Sequence, residues 1–67
     1  MAMEDQETLK AEIKRLNARA TQLKMDLHDL SEDLPTGWER IPAVAAETFQ
    51  AYEKLAAARQ KLAAAEA

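Results

Sequence analysis

The sequence predicts an all-α fold: a single antiparallel hairpin of two long helices that associates as a rod-like homodimer. Three observations carry this expectation. The one glycine and both prolines fall between Pro35 and Pro42, which leaves a long segment on either side with no internal breaker. In the first segment Leu9, Ile13, Leu16, Ala20, Leu23, Leu27, Leu30 and Leu34 recur at intervals of 4, 3, 4, 3, 4, 3 and 4, a heptad seam that no strand pattern imitates. The chain has only 67 residues, and much of its 48% hydrophobic content is alanine. A core of that size rarely contributes more than about 3–5 kcal/mol, so association is the expected route to stability.

The first helix is expected over about 5–33, the turn over about 34–41 and the second helix over about 42–63, with frayed termini and the whole of 1–67 as one domain. Glu4, Asp5 and Glu7 suit the positive end of the first helix dipole, and Pro35 ends that helix by driving Leu34 out of the helical region. Thr36-Gly37-Trp38-Glu39 has the form of a capping box, and Pro42 fits only a first helical turn. A short tight turn near Trp38 therefore precedes the second helix. At about 100° per residue, Ile41, Val44, Thr48, Ala51, Leu55, Ala58 and Leu62 form that helix's main stripe, with Tyr52 and Phe49 displaced to one side. One neighbouring helix cannot cover so wide an arc. Trp38 reads most simply as a plug against Leu30, Leu34 and Ile41, and alternatively as a hot spot for a partner.

Composition excludes much. With no cysteine there is no disulfide framework or thiolate metal site, and with three aromatics there is no large pocket. No hydroxyl is aligned with His28 as nucleophile to base, and no glycine-rich loop cradles phosphate, so the chain is read as a non-enzyme. The acidic N-terminus lacks an apolar core and no apolar run approaches the roughly 18 residues of a membrane span, which reads as a cytoplasmic protein with no membrane partner.

His28 belongs to a second seam, Lys10, Lys14, Asn17, Thr21, Lys24, His28 and Ser31, set about 100° from the leucines. The plain reading is a solvated polar face. A metal reading uses Glu32 one turn on and the adjacent Asp29 as auxiliary ligands, but one histidine is a poor site unless a two-fold axis doubles it. Charge order hints at such an axis. Lys10, Lys14, Arg15, Arg19 and Lys24 precede the acids Asp26, Asp29, Glu32, Asp33 and Glu39, a pattern that is self-complementary in an antiparallel pair. With the axis at His28, Lys24 faces Glu32 of the other copy. The expected interface is thus Lys24, His28 and Glu32, with Phe49 and Tyr52 buried at a helix–helix contact.

The stretch TQLKMDLHDLSEDLPTGW, residues 21–38, followed by Ile41-Pro42 and the aromatics Phe49 and Tyr52, resembles a small nitrogen-fixation-associated family of Rop-like two-helix proteins over roughly residues 8–62. The resemblance implies a hairpin that dimerises as a rod, a place among nitrogen-fixation genes and an unassigned biochemical role, from which nitrogenase or a nitrogenase-assembly protein is the expected partner. It also implies that His28 is a ligand to a divalent metal such as nickel at the dimer. The expected function is an accessory adaptor. Competing readings are RNA binding through Lys10, Lys14, Arg15, Arg19 and Lys24, opposed by the charge of −3 and the pI near 5.0, and a purely structural coiled coil in which His28 tolerates any polar replacement.

Overall fold

The computed structural model describes residues 2–66, with side chains from residue 6 onward. Helix α1 spans Ala2–Asp33, a single 3-10 turn covers Trp38–Arg40, and helix α2 runs over Ile41–Glu66. The two helices lie antiparallel in a rod of 50 × 15 × 14 Å. Its radius of gyration is 15.2 Å, against about 11 Å for a globule of this length. Both helices extend further than expected, α1 beginning before residue 5 and α2 continuing through the alanine-rich tail. The fraying expected outside 5–33 and 42–63 is not seen at 2–4 or 64–66, which are helical, while residues 1 and 67 and the side chains of Glu4 and Asp5 lie outside the described ones.

Two heptad stripes zip the hairpin. Ala20, Leu23, Ala51 and Leu55 form the central cluster, with Ile13 and Leu16 packed against it. Leu30 and Val44 close the stripe toward the turn, and Ala58 extends it toward the open end. Ala20, at 0% exposure, is the most buried of them, and a side chain of one carbon lets the helices approach closely. Thr48 is the one polar member of the α2 stripe. Its hydroxyl donates to the Val44 carbonyl at 2.8 Å, with the Leu23 carbonyl of α1 at 3.4 Å, so nothing polar is stranded in the seam.

The turn corrects three sequence expectations. The capping box does not form: the residue before the 3-10 turn is Gly37, which has no side chain to offer, and no side-chain cap bond is made there. Backbone bonds organise the corner instead, from the Thr36 N–H to the Asp33 carbonyl at 3.0 Å and from the Arg40 N–H to the Gly37 carbonyl at 2.9 Å. The second correction concerns Trp38, which is 62% exposed and plugs nothing. Gly37 occupies the space a plug would need. At φ 78° it folds its backbone over Leu30, so closely that a Cβ there would sit 3.2 Å from Leu30 Cδ1. The chain then leaves the corner with the indole directed outward. Third, Leu34 and Ile41, the ends of the two apolar stripes, are exposed, because Leu30 and Gly37 already close the hairpin beneath them. Pro42 does fit the first turn of α2, where its missing N–H costs no bond.

Candidate functional site

A two-helix layer has two broad faces, and the wheel positions assign residues to each. On α1 the seam of Lys10, Lys14, Asn17, Thr21, Lys24 and His28 lies about 100° to one side of the core stripe. On α2, Ala45, Phe49, Tyr52, Ala56, Arg59 and Ala63 lie about 100° to one side of theirs. Because the helices are antiparallel, these two sides coincide. The Arg59 guanidinium accordingly donates to Asn17 Oδ1 across this face at 3.4 Å. We call it the aromatic face. Phe49 is 68% exposed and Tyr52 39% on it, with Lys24 and His28 alongside. The residues expected at a dimer contact therefore share one face, with Glu32 at its outer edge.

Of the expected metal donors the structure brings two together. His28 Nε2 and Glu32 Oε2 are 3.9 Å apart, both exposed. Asp29 lies a further 100° around α1, off the side that His28 and Glu32 share. Among the described residues no three His, Cys, Asp or Glu side chains converge. One chain thus offers two donors at most, which does not fit a resident divalent ion wanting three or four protein ligands.

The opposite face escaped the sequence reading. A groove runs along it with Leu16, Leu23, Ala51, Ala57 and Ala58 as floor, and Glu12, Arg15, Arg19, Glu47, Lys54 and Lys61 as walls. Its two sections have volumes of about 340 and 370 Å³ and share Arg15, Leu16 and Lys54. The Arg19–Glu47 ion pair bridges the two helices at 3.5 Å, and Arg15 lies 3.8 Å from Glu12. Arg15 and Arg19 therefore face away from Lys10, Lys14 and Lys24, so the five basic residues proposed as one RNA-binding face are split between two. The signal was available in a pair of wheels drawn antiparallel, which sets Lys54 and Lys61 beside Arg15 and Arg19.

The match to known proteins decides the family. The Rop-like family model covers residues 4–67. The chain belongs to the Rop-like family. Among its relatives, the UPF0437 protein of Azorhizobium caulinodans is 58% identical over 90% of this chain and 87% of its own length. A UPF0437 protein of Frankia alni, described as lying in the nifX-nifW intergenic region, is 52% identical over 66% of this chain and 54% of its own length. A protein solved by NMR at the Northeast Structural Genomics Consortium superposes with a TM-score of 0.84 at 60% identity, covering 90% of this chain and 84% of that one. The Rop-like hairpin is thus seen in this chain and in a solved relative. Among the described residues, no helix is long and apolar enough to cross a membrane.

Proposed function

We propose that this Rop-like chain is a non-enzymatic accessory protein of nitrogen fixation, acting in the cytoplasm as a homodimeric helical adaptor. The observation that carries the reading is the aromatic face: Phe49 and Tyr52 stand exposed beside Lys24 and His28 on a hairpin whose own core is already closed. Two aromatic side chains left exposed one turn apart on the same helix face suit an association site. The link to nitrogen fixation rests on the place of the Frankia relative in the nifX-nifW intergenic region. Nitrogenase or one of its assembly proteins is the partner this reading implies.

A metal enters the proposal only through the dimer. An axis near His28 sets the imidazole and Glu32 of both copies around one point, which doubles an insufficient donor set into a sufficient one for an ion such as nickel. The test of the adaptor reading is sedimentation. The wild-type chain is expected to run as an elongated dimer at micromolar concentration, and the Phe49→Glu, Tyr52→Glu double variant as a monomer. A wild-type monomer, or a dimer indifferent to both substitutions, overturns it.

A further inference from the structure

We infer that the groove on the face opposite Phe49 and Tyr52 is a docking site for an acidic amphipathic helix supplied by a different protein. The groove lies between α1 and α2, where a third helix of a bundle would seat at the usual interaxial distance of about 8–10 Å. From Glu12 to Leu23 on α1 it is long enough for a helix of about three turns, which on seating displaces the exposed Arg19–Glu47 pair that crosses it. Its floor is apolar and shallow, built from Leu16, Leu23, Ala51, Ala57 and Ala58, and small side chains there permit close approach by a partner helix bearing larger ones.

The walls specify charge. Four cations, Arg15, Arg19, Lys54 and Lys61, stand against two acids, Glu12 and Glu47. Both acids are committed to the arginines, at 3.8 and 3.5 Å. Lys54 and Lys61 make no ion pair among the described residues and are both exposed. The groove therefore presents an excess of positive charge in a protein whose net charge is −3. An occupant with leucine-sized residues on one stripe and carboxylates flanking it matches both floor and walls.

Nucleic acid fits less well. The exposed aromatics Phe49 and Tyr52, on which bases could stack, lie on the other face. Because the groove and the aromatic face are on opposite sides of the hairpin, the inference stands or falls separately from dimerisation. A dimer formed through the aromatic face carries one groove on each outer surface.

The probe is a helical peptide of about four turns, with leucine at i, i+4, i+7 and i+11 and glutamate on both flanks, titrated into the full isotope-labelled chain and followed by NMR. Its controls are the same peptide with lysine for glutamate and a single-stranded RNA of similar length. Amide shifts are expected along residues 12–23 and 47–61, with binding weakened at least tenfold in the Lys54→Glu, Lys61→Glu variant and at raised salt. Both lysines are exposed, so the variant is expected to retain its helix content, which circular dichroism checks. Equal binding of the lysine peptide, tighter binding of the RNA, or shifts centred on His28, Phe49 and Tyr52 overturns the inference. So does a groove that shifts with protein concentration alone in wild type and not in the variant, since its occupant is then a second copy.

Discussion

At Gly37 and Trp38, neighbouring residues exchange the roles that residue type alone suggests. Tryptophan beside a turn reads as the anchor and glycine as a hinge, and on that basis Trp38→Ala would cost about 3–5 kcal/mol. With the indole 62% exposed, the structure places that substitution within about 0.5 kcal/mol of wild type. Gly37→Ala is expected to be the damaging change. It places a side chain at φ 78°, which costs about 1–2 kcal/mol, and puts a methyl 3.2 Å from Leu30 Cδ1. Urea denaturation of the two variants reads the order directly, and a Trp38→Ala loss larger than that of Gly37→Ala contradicts the turn described here. An exposed indole at a corner held by backbone bonds is open to a partner, and the hot-spot reading of Trp38 is a proposal that the same Trp38→Ala variant tests through partner binding. His28 carries the other residue-level prediction. If it ligates metal at a dimer axis, His28→Ala abolishes nickel binding while leaving helix content and dimer intact, and binding in wild type weakens on acidification because a ligating imidazole must be neutral. A stoichiometry of one ion per chain, or nickel-induced shifts away from His28, removes the axial site.

Among the elements, the seams were legible and the corner was not. Apolar residues at 3.5-residue spacing mark one stripe on each helix, and the residues so marked, from Ala20 to Leu30 and from Val44 to Ala58, include every buried one among the described residues. The stripes overran at Leu34 and Ile41 because periodicity says nothing about where a corner closes. That depended on a left-handed glycine folding onto Leu30, a three-dimensional contact with no signature in spacing. The basic groove was hidden for a related reason: Arg15 and Arg19 are far in sequence from Lys54 and Lys61, and only the antiparallel register joins them. The seams themselves yield a paired prediction. Ala20 is fully buried between the helices while Ala57 is exposed on the groove floor. Ala20→Leu should force the axes apart and destabilise by about 1–3 kcal/mol, whereas Ala57→Leu should change stability by less than about 0.5 kcal/mol. Thermal melts followed by circular dichroism distinguish them, and equal effects would mean that the helices do not meet at Ala20.

For the whole molecule, the question is what a rod of 50 × 15 × 14 Å gains by pairing. The buried core of one hairpin comprises Ala20, Leu23, Leu30, Val44, Ala51, Leu55 and Ala58, three of them alanines, and no large side chain is completely sequestered among the described residues. Such a core is marginal for a lone chain. Pairing through Phe49 and Tyr52 would add apolar burial of the kind the hairpin lacks, and it requires no ion. If folding and association are coupled in this way, stability depends on concentration, because two unfolded chains must meet to form one folded dimer. Raising the concentration a hundredfold then favours the dimer by about 2.7 kcal/mol, which for two short chains moves Tm upward by on the order of 10 °C. Chelator should leave that dependence unchanged, since apolar area rather than metal drives the contact. A Tm that stays flat over the hundredfold range means the hairpin is stable alone, and one that rises only with divalent metal present makes the ion, instead of the aromatic face, the source of cohesion.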